Sequence, residues 1–472
     1  MRDDVTLPVP TVTRFAALRR WGRPAERAWA VALLSITSGA YLTVIAGMKG
    51  SEPQDPSEDP LPRLILLPLY AVMGWLIITH PRGFARVVWR AKLPLALVGL
   101  AVLSVIWSVD PGLTLRRALS LLAPTTFGLV LSLRFSTSEL LRLLAVALGM
   151  AAVLSVVVAL VLPRETISLV DYGNAWRGVF EDKNNFGRSM ALAVAVFALM
   201  AMDWGQHRWM AWLGAAGTLW LVFLARSMGS LVTAVALLAL IPLFRSLRLR
   251  FTTAVAVCTV SILLAGAFIS VIAANTEPIF TLLGRDSTLT GRTDIWQAVL
   301  ASIGERPWLG YGYNAFWHPS DGPSASVLSL VGWETPNSHN GLLDLWLELG
   351  FAGVGILLVG LVAAVRAAVV SARRTDLSAG LWPLVFLSFL ALINVSMSAL
   401  LRPHSLTWIL YVALLSSDLL TKAGKTRPVA VPGPDESSDR FRRVPPLPRV
   451  LRGIGYASLG VRRFYRKREP SE

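Results

Sequence analysis

The chain has 472 residues, of which 54% are hydrophobic and only 16% charged, and its excess of Lys and Arg gives a formal net charge of +16. Soluble globular domains carry about 25% charged residues, so this composition excludes an ordinary soluble domain and indicates an integral membrane protein. The chain lacks zinc-finger, helix-turn-helix and RNA-binding patterns, so its basic charge favours membrane lipids over nucleic acid as a partner.

Apolar runs of the length that crosses a bilayer core of roughly 30 Å recur along the chain. In chain order they lie near 28–47, 63–79, 93–108, 116–132, 139–162, 186–203, 209–225, 229–245, 250–273, 341–365, 380–399 and 404–420. They predict an all-α integral membrane protein with about twelve transmembrane helices. One large outer loop, 274–340, separates the ninth span from the tenth.

Lys and Arg concentrate in alternate loops and in both tails. By the positive-inside rule these segments are cytoplasmic, so both termini lie inside and the large loop lies outside. We therefore predict a multi-pass protein of the plasma (inner) membrane. Its predicted parts are a cytoplasmic basic tail at 1–27, spans one to nine at 28–273, an outer cap loop at 274–340, spans ten to twelve at 341–420 and a cytoplasmic basic tail at 421–472.

Motifs for metal-dependent or nucleotide-dependent chemistry do not occur in the sequence. There is no H-E-x-x-H, P-loop or G-x-S-x-G element in a suitable context, which excludes zinc protease, ATPase and serine hydrolase classes. An acidic cluster, comprising Glu52, Asp55, Glu58 and Asp59, reads as a solvated loop rather than a divalent-cation site. We expect no metal and no other cofactor.

A set of basic residues breaks the inside bias and falls at or near the outer face. Its members are Arg164, Arg177, Lys183, Arg226, Arg285, Arg292, Arg306 and Arg402. Arg226 follows an apolar helix at a tight turn, where it needs a carboxylate, backbone carbonyls or an anionic ligand. Converging arginines can bind a pyrophosphate without a metal. The alternative is that each pairs with an outer carboxylate or reaches lipid headgroups.

The large outer loop is too long to be structureless, so we expect a cap that contains helices. A helix is predicted at about 291–304, because Ile295, Val299 and Ile303 recur at helical spacing and Pro307 closes the run. An aromatic turn punctuated by glycines follows at 308–317. Its rings can form a platform for sugars or an interfacial aromatic belt.

His339 lies at the mouth of the tenth apolar run. Asn337 or Ser338 can cap a helix beginning near Asn340, which would place the imidazole by the positive end of the helix dipole. A neutral imidazole is favoured there, and that is the state of a general base acting on a hydroxyl. The alternative is a histidine with a capping or structural role.

Several short motifs around one outer loop resemble, in their sequence and order, the O-antigen ligase and polymerase family. The resemblance is strongest to the ExoQ-type exopolysaccharide polymerases of that family. The motifs are 177–187, Arg226-Ser227, 289–296, 306–317, 338–344 and 348–350 with Gly353, and they cover roughly residues 170–365. The resemblance implies a glycosyltransferase that transfers or polymerises an undecaprenyl-diphosphate-linked glycan onto a hydroxyl of a glycan, lipid or protein. Such an enzyme acts on the outer face of the plasma membrane in O-antigen, lipopolysaccharide or exopolysaccharide biosynthesis.

The same resemblance implies roles for individual residues. His339 would activate the acceptor, Arg226 and Arg292 would hold the donor pyrophosphate, and Arg177 and Lys183 would support them. Asp182 stands where this family more often has His or Ser. Candidate sugar-binding residues are Trp308, Tyr311, Tyr313 and Trp317. Polysaccharide export or chain-length machinery is a candidate partner.

Two other classes fit part of the sequence. About twelve spans and outward arginines also suit a secondary transporter or flippase of an anionic or lipid-linked solute, although transporters usually bind near the midplane and show internal symmetry. A scaffold protein of the membrane leaves the outer arginines unexplained. The polar residues gather beneath one oversized loop, which favours the enzyme.

Overall fold

The computed structural model describes residues 12–40, 60–168, 174–203, 205, 208–249, 292–317, 322–332, 335–374, 376–403 and 405–417. The predicted ninth span, most of the first half of the cap and the basic C-terminal tail lie outside these residues. So do the acidic cluster at 52–59 and Arg285, and the side chain of Arg164 is not described either.

The described chain is mostly helical, and most of its longer helices overlap the predicted apolar runs. The first helix begins at Val12, inside the predicted tail at 1–27, and Pro81–Arg90 is a helix outside the predicted runs. The first half contains α1 (Val12–Thr37), α2 (Pro60–Thr79), α3 (Pro81–Arg90), α4 (Lys92–Leu103), α5 (Pro111–Ser120), α6 (Leu122–Arg134), α7 (Thr137–Val161) and the single turn α8 (Pro163–Thr166). A short antiparallel ribbon follows, in which β1 (Ile167–Ser168) pairs with β2 (Ala175–Trp176). The second half contains α9 (Lys183–Met200), α10 (Arg208–Leu224), α11 (Met228–Ser246), α12 (Arg292–Glu305), α13 (Ala325–Val331), α14 (Gly341–Arg374), α15 (Leu377–Ser396) and α16 (Leu406–Ser416).

Length and composition qualify 4 helices of the described chain to cross a membrane: α7, α11, α14 and α15. The number rises to 5 if α3 and the segment Lys92–Ile106, which meet at 80°, form one bent span. These helices support a multi-pass, all-α membrane protein. The number of about twelve spans, the position of the large loop and the side of the membrane that each loop faces stay predictions.

The predicted fourth run, 116–132, is interrupted in the structure. It divides into α5 and α6 at Leu121. Pro124 explains the interruption, because it has no N–H to offer to the carbonyl of Ser120. The start of α5 is well defined: Asp110 caps it, with its Oδ1 accepting from the N–H of Leu113 at 2.9 Å.

The predicted tenth run is also broken, at Gly350 inside α14. This glycine has φ 63° and ψ −165°, which no helix contains. The break frees two carbonyls and two N–H groups, and residues 307–312 of the cap, which include the start of the aromatic turn, bond all four. Tyr311 N bonds Leu347 O at 2.9 Å, Gly312 N bonds Glu348 O at 3.0 Å, Phe351 N bonds Pro307 O at 2.8 Å and Ala352 N bonds Trp308 O at 3.2 Å.

The cap has a small hydrophobic core of its own. The predicted helix at about 291–304 is confirmed as α12, and Ile295, Val299 and Ile303 are buried in that core. The same cluster includes rings of the aromatic turn and Leu347 from the first part of α14. The segment 341–349 therefore packs with the cap, and the part of α14 beyond Gly350 is long enough, at about 1.5 Å per residue, to cross the membrane alone.

Small residues let four helix ends approach one another closely. A Cβ on Gly187 would lie 2.7 Å from Ser230 Oγ, which places the start of α9 against the start of α11. A Cβ on Gly229 would lie 2.8 Å from Ser396 Oγ at the end of α15. Gly341, at the start of α14, abuts the side chain of Asn394, also in α15. The starts of α9, α11 and α14 thus meet the end of α15.

Candidate functional site

The turn before α14 carries His339 in an unusual conformation. His339 has φ 54°, in the left-handed region, which costs a side-chain-bearing residue about 1–2 kcal/mol. Its N–H donates to Asn337 Oδ1 at 2.9 Å. Ser338 closes the turn, because its Oγ accepts from Asn340 N at 3.1 Å and donates to Asn340 O at 2.9 Å.

The predicted cap of this helix was wrong. Neither Asn337 nor Ser338 caps α14; Asn340 does, with Oδ1 accepting from Leu342 N at 3.1 Å and Leu343 N at 3.2 Å. The helix begins at Gly341, so only the residue directly before it reaches the free N–H groups of the first turn. Asn337 and Ser338 shape the turn around His339 instead.

The surroundings of His339 favour a neutral imidazole. Burial lowers the pKa of His339 below its usual 6.5, and the guanidinium of Arg292 lowers it further. The carboxylates of Asp344 and Asp182 act in the opposite direction without reversing the shift. This direction agrees with the expected neutral state, but its main cause is burial rather than the helix dipole.

Asp182 occupies the start of α9. Its carboxylate caps that helix by accepting from Asn184 N at 2.7 Å and Asn185 N at 3.0 Å. Lys183 is buried directly after it, and Arg177 donates a long bond to the carbonyl of Glu181 at 3.5 Å. Because Asp182 acts on the pKa of His339, this segment and the His339 turn belong to one electrostatic environment.

Arg226 lies at the turn between α10 and α11. It also has a left-handed backbone, with φ 49°. Ser227 Oγ donates to Asn184 Oδ1 at 2.9 Å, so the turn is fixed to the start of α9 beside Asp182. The Arg226 side chain is exposed, and none of the described residues makes an ion pair with it. Strained residues of this kind concentrate at functional sites.

Arg402 has carboxylate partners within the protein. Its Nη2 lies 3.1 Å from Asp344 Oδ2, and its Nη1 lies 3.3 Å from Glu348 Oε1. Nη1 also donates to Asn314 Oδ1 at 2.8 Å. The two carboxylates raise the pKa of Arg402 above its usual value despite the opposing effect of burial. Arg402 therefore follows the alternative in which an outer arginine pairs with carboxylates. Arg306 instead lies over the ring of Tyr311, 4.9 Å from its centroid.

The sequence did not reveal these acidic partners. Asp344 and Glu348 stand four residues apart at the start of an apolar run, a spacing that places two side chains on one helix face. That spacing was the available signal. Their common partner Arg402 lies over fifty residues away in the chain, so the sequence alone could not pair them.

The candidate sugar-binding residues divide into two groups. Tyr311, Tyr313 and Trp317 are 3%, 0% and 7% exposed, so their rings offer no face to a sugar in this structure. They bond inside the protein: Tyr311 OH to Glu305 at 2.8 Å, Tyr313 OH to Leu401 O at 2.6 Å and Trp317 Nε1 to Asp344 at 3.1 Å. Trp308, which is 72% exposed, alone of the four keeps an open ring.

Comparison with known proteins agrees with the motifs. The family model described as O-Antigen ligase matches residues 213–358, a range that includes Arg226, Arg292 and His339. The chain is 25% identical over 283 residues to "Exopolysaccharide production protein ExoQ" of Rhizobium meliloti (strain 1021). The match covers 56% of this chain and 62% of that protein. These matches confirm the resemblance drawn from the motifs: over these ranges the chain is similar to O-antigen ligases and to an exopolysaccharide production protein.

Proposed function

We propose that this protein is a membrane glycosyltransferase that transfers or polymerises an undecaprenyl-diphosphate-linked glycan onto a hydroxyl acceptor at the outer face of the plasma membrane. One observation carries the proposal: a half-buried His339 with a lowered pKa stands in the field of Arg292, inside the matched family domain. A base and a fixed cation together are what transfer from a diphosphate donor requires.

His339 acts as the general base in this proposal. The acceptor hydroxyl oxygen attacks the anomeric carbon of the donor, and its proton passes to the imidazole. The bond between that carbon and the diphosphate oxygen breaks, and the polyprenyl diphosphate leaves with the electron pair. A single displacement of this kind inverts the configuration at the anomeric carbon.

The outer cations stabilise the leaving group. A diphosphate gains negative charge as the glycosidic bond breaks, so it needs electrostatic stabilisation more than a proton. Arg292 is the first candidate because its charge acts on His339. Arg226 is the second, since its side chain is exposed and the next residue, Ser227, bonds the start of α9. Arg177 and Lys183, on the segment that carries Asp182, are supporting contacts.

Trp308 is the remaining candidate for binding a sugar ring. It begins the aromatic turn that is hydrogen-bonded to the break of α14. Its ring packs at a tilt against the ring of Phe351, with centroids 5.4 Å apart. That contact fixes one edge of the indole and leaves much of it exposed. Stacking of a sugar on this ring would place the glycan beside the cap.

The direct test uses a strain that lacks the gene and is complemented with variants. We expect His339→Ala and Arg292→Ala to abolish surface polymer while the protein level in the membrane stays unchanged. Arg306→Ala is the matched control, because Arg306 is an exposed arginine at the other end of α12. Wild-type polymer from both site variants would overturn the enzyme proposal, and lipid-linked glycan retained on the inner leaflet would favour a flippase.

A further inference from the structure

Asp344 collects hydrogen bonds from separate parts of the chain. It lies in the first turns of α14 and is 3% exposed. Its carboxylate accepts from Ser338 N at 3.1 Å, from Trp317 Nε1 at 3.1 Å, from Arg402 Nη2 at 3.1 Å and from Ser398 Oγ. An acid at the start of a helix commonly bonds the N–H groups of that helix. Asn340 already caps α14, so Asp344 is available for the segments around it.

The bonds to Asp344 fix the backbone on one side of His339. Ser338 is the residue directly before His339, and its N–H is held by Asp344 Oδ1. The carbonyl of Ser338 accepts from Trp296 Nε1 of the cap helix at 3.0 Å. The peptide groups leading into the strained His339 backbone are thereby fixed from two directions.

Ser398 connects the two acceptors that hold the turn. Its Oγ lies 3.3 Å from Asn337 Oδ1, the acceptor for His339 N, and it also donates to Asp344 Oδ2. Asn337 and Asp344 are therefore joined through one hydroxyl. A left-handed histidine persists only where its surroundings over-determine it, and this linked set of bonds supplies that constraint.

Arg402 stabilises the buried carboxylate of Asp344. A buried carboxylate without a partner costs several kcal/mol, and the 3.1 Å ion pair with Arg402 offsets that cost. The same arginine reaches Glu348 one turn further along α14, and Glu348 makes no bond to the turn at 337–339. The two acids therefore share a counter-charge but differ in their relation to His339.

We infer that Asp344 is a positioning residue for His339. Asp344 fixes the turn that presents the imidazole and places a negative charge near that ring. The inference rests on the proposed role of His339 as the base. Asp344 itself touches neither donor nor acceptor in this assignment.

The test compares Asp344→Asn with Glu348→Gln in full-length protein purified in detergent or nanodiscs. Transfer from a synthetic polyprenyl-diphosphate-linked glycan is measured against acceptor concentration and pH. We expect Asp344→Asn to lower kcat by about a hundredfold, the scale of a small misplacement of a catalytic group, with little change in KM. Loss of its charge should also move the acidic limb of the kcat profile to lower pH, because Asp344 raises the pKa of His339.

Glu348→Gln removes the other acid from Arg402, and we expect the acidic limb to stay in place. Ser398→Ala keeps every charge but cuts the link between Asn337 and Asp344, so it should lower kcat without moving the limb. A role of Asp344 in folding alone would lower the melting temperature and scale the rate equally at all pH values. That result, or a wild-type profile for Asp344→Asn, would overturn the inference.

His339→Ala in the same series separates the two proposals. If His339→Ala is inactive and Asp344→Asn behaves as wild type, only the positioning role falls. If His339→Ala keeps wild-type activity, the proposed function falls first.

Discussion

Gly350 and Trp308 approach so closely that a Cβ on Gly350 would overlap the carbonyl carbon and oxygen of Trp308. The contact brings the aromatic turn of the cap into the break of α14. It explains why this position holds a glycine, since the left-handed backbone and the missing space both exclude a side chain.

Gly350→Ala should therefore destabilise the protein and separate the cap from α14. We expect a fall in melting temperature and loss of glycan transfer, because the new methyl group displaces the Trp308 peptide. Gly355→Ala is the matched control on the same helix, where a Cβ meets nothing within 4 Å. Alanine is favoured over glycine in a helix by about 1 kcal/mol, so this control should be neutral or slightly stabilising. Equal melting temperatures for the two variants would contradict this account of the break.

The pH dependence of transfer should report the environment of His339. The active base is neutral, and the pKa of His339 is lowered from 6.5 by burial and by Arg292. Activity should therefore persist as the pH falls below 6.5 and be lost only when it passes the lowered pKa. The measurement is kcat against pH with saturating acceptor in the purified protein. An acidic limb centred above 6.5 would contradict the proposed surroundings of the base.

Local patterns predicted the elements better than they predicted the site. The spacing of Ile295, Val299 and Ile303 predicted α12, because periodicity depends only on neighbours in the chain, and the structure buries all three side chains. The break at Gly350 was missed, because an apolar run with one glycine looks like a continuous helix. The hydrogen-bond partners that stabilise the break come from the aromatic turn, which is distant in the sequence.

The same distinction applies to charges. The sequence marked a group of outer basic residues but could not say which of them meet acids. The structure pairs Arg402 with Asp344 and Glu348, whereas Arg292 acts on His339. Such pairings depend on how α12, α14 and the segment 397–403 pack, and no local pattern encodes that packing.

Asn340 and Asn337 should respond differently to removal of their amides. Asn340→Ala removes the cap of α14 and should lower stability by about 1 kcal/mol. Asn337→Ala removes the acceptor for His339 N while leaving that cap in place. We expect its main effect on kcat rather than on the melting temperature, measured on the same preparations. Asn340→Asp, which keeps an acceptor oxygen, should restore most of the stability.

The aromatic turn offers a final contrast between a ring that faces outwards and rings that pack inside. Trp308→Ala should leave the melting temperature nearly unchanged and raise the KM for the glycan substrate, because the indole is 72% exposed. Tyr313→Phe should leave KM unchanged. It removes a buried bond of 2.6 Å to Leu401 O, which leaves a buried carbonyl without its donor and should cost about 1–3 kcal/mol. Unchanged glycan kinetics in Trp308→Ala would assign this indole to the membrane interface, the common position of exposed tryptophans in such proteins.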